Sequence, residues 1–312
     1  MSTAGELVAV TGAAGFIGRA FCNRVSAHGR DVRTFTRVPL DDRRNNVVVD
    51  LARSETAELA QALAGVTTVV HLAGRAHVRG ETAATFDAVY RHANELATRR
   101  IAEASVAAGV RRMIFASTVK VNGEATPRGR PFRTDDALAP NDAYARSKAA
   151  AEAALFDIAA RTSLEAVVLR LPLVYGPGVR GNFRSLIDAV RNRRLLPVGA
   201  IDNRRSLLGL DNLVGALDAT IDARSVHGIH FVADADSVST KTLVRAIAGA
   251  LRVEPRIVSI PVPLLRIAGA LCGQRDAIER LTGSLEVDAT SLTAATGWKP
   301  REFAIDAASV AG

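Results

Sequence analysis

The sequence predicts an α/β protein with a Rossmann-type, doubly wound parallel sheet and a smaller C-terminal substrate-binding region. Three observations predict it. Short β-branched runs alternate with longer Ala-rich segments through the first half of the chain. The first such run opens into a glycine-rich turn and then a helical segment. After about residue 175 the alternation breaks up around Gly176, Pro177, Gly178, Gly181, Pro197 and Gly199.

Residues 7–10, 32–35, 47–49, 69–72, 113–116 and 167–171 read as strands. Most are apolar on both faces, as strands sandwiched between helices are. Residues 16–28, 56–64, 85–108 and 143–162 read as helices. Gly29 and Gly109 stand where helix C-caps belong. Strand–helix alternation with right-handed crossovers builds a parallel sheet covered on both faces. Residues 1–175 are therefore read as a dinucleotide-binding domain. Residues 176–312 are read mainly as a substrate region that also returns strands or helices to the first domain. Within it, 230–232 and 257–260 read as short strands, and 240–251 and 264–271 as helices.

Composition narrows the class. The 312 residues are 48% hydrophobic and 23% charged, which excludes wholesale disorder. Forty basic against 32 acidic residues give a net charge of +8, and only four of the basic residues are lysines. The arginines raise nucleic acid or a phosphorylated small molecule as partners. Aromatics at 4% are too few to interleave as a base-stacking platform, which argues against nucleic acid. Arg111-Arg112 and the run Arg191 to Arg194 read as solvated faces. Two cysteines, Cys22 and Cys272, make no disulfide framework, and no His, Cys, Asp or Glu cluster has metal-ligand spacing. No signal peptide and no membrane span are read, which points to the cytoplasm.

Residues 8–10 run into Thr11-Gly12-Ala13-Ala14-Gly15-Phe16-Ile17-Gly18. The spacing is GxxGxxG. Gly12 permits the tight turn, Gly15 lets backbone approach a pyrophosphate, and Gly18 lets helix pack close to strand. The helix N-terminus then presents free N–H groups to the phosphates. The second strand ends in Thr36-Arg37, with no acid to bind a ribose 2′-hydroxyl. Arg37 suits a 2′-phosphate, which favours NADP over NAD. The alternative is a solvated Arg37 and a pocket that takes either. Asp50-Leu51 reads either as an adenine contact or as a helix N-cap.

Tyr144 and Lys148 stand at i and i+4, on one face of a helix. An ammonium near a phenol favours the phenolate and lowers the Tyr pKa. Upstream, Ser117 and Thr118 end a strand with two hydroxyls suited to hold a substrate oxygen. His71 follows a buried strand and reads as a packing residue, and His77 stands at the mouth of the site.

These motifs together resemble the extended short-chain dehydrogenase/reductase family, the NAD-dependent epimerases and dehydratases. The resemblance spans nearly the whole chain. It includes Asp50-Leu51, His71-Leu72-Ala73-Gly74, Asn94, Tyr144 with Lys148, the segment 169–178 with Pro172, and Gly297-Trp298-Lys299-Pro300. It implies a Tyr144 acid/base, a supporting Lys148 and a Thr118 that orients the substrate oxygen, alone or with Ser117. It implies that Gly12, Gly15, Phe16, Ile17, Gly18, Arg37, Asp50, Leu51, Leu72, Ala73, Gly74, Asn94, Tyr144, Lys148 and Pro172 line the cofactor. Ser117, Thr118, Lys120, Asn182, Arg205 and Arg280 are the implied substrate contacts, Arg205 as a diphosphate clamp.

Lys120 and Asn122 depart from the Thr and Tyr of UDP-galactose 4-epimerase-like members, and Leu173 stands where many epimerases have Asn. Thr118-Val119-Lys120-Val121-Asn122-Gly123-Glu124 resembles instead a bacterial subgroup acting on UDP-N-acetyl-6-deoxyhexoses in O-antigen synthesis. The expected function is NAD(P)-dependent hydride transfer at C4 of a UDP-sugar, as a 4-keto-sugar reductase. The alternatives are a UDP-sugar 4-epimerase with retained NAD, and a non-catalytic dinucleotide-sensing protein. The Ala-rich helices 85–108 and 143–162 are expected to form a homodimer interface.

Overall fold

The computed structural model describes residues 6–40, 45–76 and 83–311. The chain runs β1 (Leu7–Thr11), α1 (Phe16–Ala27), β2 (Asp31–Thr36), β3 (Asn46–Val48), α2 (Thr56–Ala62), β4 (Val66–His71), α3 (Ala83–Tyr90), α4 (Ala97–Ala107), β5 (Arg112–Thr118), α5 (Ala143–Ala159) and β6 (Glu165–Leu171). A π turn, Arg91–Leu96, joins α3 to α4, and a 3₁₀ turn, Val119–Val121, follows β5. The second half holds β7 (Leu173–Tyr175), α6 (Asn182–Arg191), β8 (Arg205–Gly209), α7 (Leu210–Asp222), β9 (Gly228–Phe231), β10 (Ser237–Val238), α8 (Thr240–Leu251), α9 (Val262–Leu271), α10 (Arg275–Thr282), α11 (Thr290–Thr296) and α12 (Ala307–Val310).

Seven strands form one parallel sheet in the order β3-β2-β1-β4-β5-β6-β9. The central strands are apolar on both sides because helices cover both faces. Phe35, Leu59, Ile101, Met113 and Leu155 fill one face. Phe21, Ile114, Leu169, Leu213 and Leu217 fill the other. The strand order reverses between β1 and β4, which opens a crevice at their C-terminal ends, where ligands bind in such sheets.

Beyond residue 175 the chain does two things. It returns β9 to the main sheet beside β6, and it lays α7 against α1. It also builds a small sheet, β10-β8-β7, over a separate core around Tyr175, Phe183, Ile187 and Ile247. The expected strand over 257–260 is one bridge, between Leu196 and Ile257. Pro255 and Pro261 bracket it and remove the donors a longer ladder needs.

Arg112 corrects the reading of Arg111-Arg112 as a solvated pair. Its side chain is fully buried. Nη1 donates to the carbonyls of Thr220, Ile221 and Ala223, and the guanidinium pairs with Glu165 at 2.8 Å. The last turn of α7 leaves carbonyls without helical partners, and a cation there satisfies them.

Candidate active site

The glycine turn is built as its spacing requires. Gly12 holds φ at +69°, and a Cβ there would lie 2.7 Å from the Ala73 backbone nitrogen. A Cβ on Gly18 would overlap the Gly12 carbonyl oxygen. No side chain caps α1, and its first turn holds no acid. Its leading N–H groups therefore face the crevice with no side-chain acceptor, as a pyrophosphate site needs. Phe16 and Ile17 open the helix half-buried, and the Phe16 ring lies beside Gly178.

A cavity of about 660 Å³ runs from this turn along the strand ends. Gly12, Gly15, Thr36, Arg37, Asp50, Leu51, Leu72, Ala73 and Gly74 line it, so these expected cofactor residues are brought together. Volume, bare helix N-terminus and glycine packing fit a dinucleotide. At the β2 end, Thr36 donates inward to Val38 and Asn46, leaving Arg37 exposed at the wall. Asp50 does not cap α2, whose N-cap is Glu55. Its Oδ1 instead accepts from the Ala52 N–H at 3.1 Å, holding a turn at the cavity edge. Sequence reasoning missed Arg53 and His92, which also line the cavity. Neither belongs to a motif, and the fold alone carries them there.

Two expected cofactor residues stand behind the wall. Asn94 is fully buried in the π turn. Its Oδ1 accepts from the Arg75 N–H at 2.7 Å, and its Nδ2 donates to the Arg75 carbonyl and to Ser147 Oγ. Both ends are spent on protein, so Asn94 pins the 73–75 loop to α5 instead of reaching into the cavity. The π turn supplies the extra residue that aims it inward. Pro172 is buried between β6 and β7, away from the cavity lining. His71 behaves as a packing residue. Its ring stacks on Phe115 and bonds Thr11 and Thr98, and burial with the nearby Lys148 charge drives its pKa down to about 3.

Thr118, Tyr144 and Lys148 converge at the end of β5. Asp142, two residues before Tyr144, caps α5 by accepting from the Ala145 N–H at 2.7 Å. The Thr118 hydroxyl, which accepts from the Lys120 N–H, lies near enough to the Tyr144 phenol to favour its ionised form. Burial pushes that phenol up to about 12, against the Thr118 hydroxyl, and the Asp142 and Tyr90 side chains push it further. Lys148 does not offset this, contrary to the sequence expectation. Its ammonium donates to the Ala116 carbonyl at 2.5 Å and lies 4.0 Å from the Phe115 ring centre. Burial brings it down to about 7, with Glu152 opposing. One helical face puts both residues on the same side, but the longer lysine reaches past the phenol into the sheet.

Ser117 and Lys120 correct two further expectations. Successive strand residues face opposite ways. Thr118 faces the site, and Ser117 is buried with its hydroxyl on the Glu152 carboxylate, which also pairs with Arg170. Lys120 is engaged by protein acids, Glu124 at 2.7 Å and Asp142 at 2.8 Å. On the substrate side, Arg205 donates to the carbonyls of Arg280 and Gly283, and Glu124 supports its charge. The Arg280 side chain is exposed on α10, and Asn182 is exposed at the start of α6. His77 lies outside the described residues. Among the described residues, no His, Cys, Asp and Glu side chains group as metal ligands do.

The sequence pattern of the NAD dependent epimerase/dehydratase family matches residues 8–233, which span both the glycine turn and the Tyr–Lys helix. The chain belongs to this family. Members of this family are enzymes. A UDP-glucose 4-epimerase of Vibrio cholerae is 38% identical over 298 residues, covering 94% of this chain and 90% of that one. A dTDP-6-deoxy-L-talose 4-dehydrogenase (NAD(P)(+)) of Kitasatospora kifunensis is 29% identical, covering 96% and 92%. The solved structure of MoeE5 in complex with UDP-glucuronic acid and NAD has 28% identity and a TM-score of 0.76, covering 95% and 94%. Among the described residues no helix of this epimerase/dehydratase is long and apolar enough to cross a membrane.

Proposed function

We propose that this enzyme reduces a 4-keto sugar carried on UDP, moving hydride at C4 with NADP as the exchangeable cofactor. One observation carries the reading. The Tyr144 phenol, protonated at neutral pH, stands at the start of α5 beside the Thr118 hydroxyl that ends β5. A protonated phenol there can donate to a carbonyl oxygen, as its reduction needs. When bound, the nicotinamide supplies the hydride.

Tyr144 Oη gives its proton to the sugar O4 as C4 is reduced, and Thr118 Oγ1 orients O4. Lys148, held on the Ala116 carbonyl, supports the strand end that presents Thr118. Arg37, after a strand β2 that ends without an acid, favours a 2′-phosphate; Arg53 lines the same cavity, 3.9 Å from Asp50. Arg205, Arg280 and Asn182 are the residues assigned to the substrate diphosphate.

A second reading is a UDP-sugar 4-epimerase that keeps NAD, and the Vibrio cholerae relative favours it. Incubation with NADPH or NAD and a panel of UDP-hexoses, including 4-keto-6-deoxy forms, separates the readings by mass. A gain of two hydrogens supports reduction. A new isomer without added cofactor supports epimerisation, and no turnover of any UDP-hexose contradicts both readings.

The half-buried Ala149 and Ala150 and the exposed Ala153 on α5, beside α4, suit a homodimer interface, which light scattering tests.

A further inference from the structure

The helix that carries Tyr144 needs a cap, and the cap is a carboxylate. Asp142 holds the α5 N-terminus through Oδ1, two residues before the phenol. Its negative charge disfavours the phenolate. The second oxygen, Oδ2, receives the Lys120 ammonium at 2.8 Å. Lys120 sits in the 3₁₀ turn that starts at Thr118, and that turn is itself fixed by the Lys120 N–H on Thr118 Oγ1. Glu124, one turn on, holds the same ammonium at 2.7 Å. The bridge thus ties the strand end bearing Thr118 to the helix start bearing Tyr144.

We infer that Lys120 is a positioning residue for Tyr144: bonded to Asp142, it locks the Thr118 turn to the start of α5 and partly offsets the cap charge near the phenol. The inference rests on reading Tyr144 as the proton carrier. It also replaces the expected sugar contact at Lys120. The other groups around the phenol are accounted for. Tyr90 faces it from α3 with rings 5.8 Å apart. Arg146 of α5 is paired with Asp87 of α3 at 2.8 Å. Lys148 is turned to the Ala116 carbonyl, and Glu124 lies between Lys120 and Arg205.

The bridge predicts opposite effects from its two ends. Asp142→Asn keeps a good cap but removes the charge. Its phenol should titrate lower than in the parent, by about half to one pH unit. Lys120→Met leaves the cap charge uncompensated and should move the phenol higher by a similar amount. Lys120→Arg should restore the parent behaviour, and Lys120→Met/Asp142→Asn should return near it.

The test is titration of isotope-labelled tyrosine ring carbons by NMR, up to the pH at which circular dichroism reports unfolding. The chain has three tyrosines, so Tyr144→Phe assigns the signal. Ordered titration, Asp142→Asn first and Lys120→Met last, supports the inference. Coincident curves, shifts in one direction for both, or no Asp142→Asn titration before unfolding overturn it. On a turned-over UDP-sugar, Lys120→Met should lower kcat with little change in KM, whereas a raised KM with kcat intact restores the sugar contact. The titration reads the phenol whether or not it carries a proton in turnover. A Tyr144→Phe enzyme with normal turnover would therefore sink the proton-carrier reading and leave the titration order to be judged alone.

Discussion

The Glu152 carboxylate and the Arg170 guanidinium meet at 2.7 Å, with neither side chain more than 4% exposed. Ser117 donates to the same carboxylate, and Arg170 also donates to Asn122. The pair lies one turn beyond Lys148 and stitches α5 to β5 and β6. Removing one partner strands a buried charge. Glu152→Ala should lower the unfolding free energy by about 3–5 kcal/mol. Glu152→Met/Arg170→Met should cost less than Glu152→Ala alone, because no charge is left unpaired. Urea unfolding of the three chains measures this, and a milder Glu152→Ala than double variant would contradict it.

Lys148 gives stability a pH dependence. Burial holds the folded ammonium near 7, against an ordinary 10.5. Between these values the unfolded chain binds more protons than the folded one, so stability rises with pH across that window. Below about 7 both states are protonated and the penalty is fully present. Tyr144, raised from 10 to about 12, opposes this rise only above about pH 10, outside the pH 7 to 9 interval. Unfolding free energy should therefore rise by about 1–2 kcal/mol from pH 7 to 9. Lys148→Met should flatten that rise. Equal slopes in the two chains would show that the ammonium is not the cause.

Gly18 tests the dinucleotide fit. A methyl there meets the Gly12 carbonyl oxygen, a backbone atom that cannot swing aside. Gly18→Ala should weaken cofactor binding more than about tenfold, or about 1.4 kcal/mol, as the turn shifts from the helix N-terminus. Calorimetric titration of NAD and NADP into both chains reads it. Undiminished binding of both would remove the cofactor from this turn.

Arg37 tests cofactor choice. Arg37→Ala should cost NADP about tenfold or more in affinity and leave NAD nearly unchanged. Equal losses for both cofactors, or none, would assign Arg37 to the solvated surface.

How far the sequence was legible depended on what each residue answers to. Gly12 and Gly18 were legible because only glycine satisfies their local geometry. The first-half strands and helices were legible from their periodicity. Ser117 and Thr118 looked equivalent because both are strand-end hydroxyls. Strand parity, set by where β5 is buried, separates them. Arg112 looked solvated because its partners are carbonyls more than a hundred residues away. Asn94 kept its motif position, yet the π turn that turns it inward has no sequence signature. Lys120 resembled a ligand contact, and its role emerged only when the fold brought Glu124 and Asp142 to it.

The central claim is that Tyr144 carries the proton at the substrate oxygen. Its most direct test is Tyr144→Phe, assayed for turnover of the UDP-sugar that the panel identifies and for cofactor affinity. Turnover should fall by about a hundredfold or more while cofactor affinity stays within about twofold. Near-normal turnover by Tyr144→Phe would contradict the account.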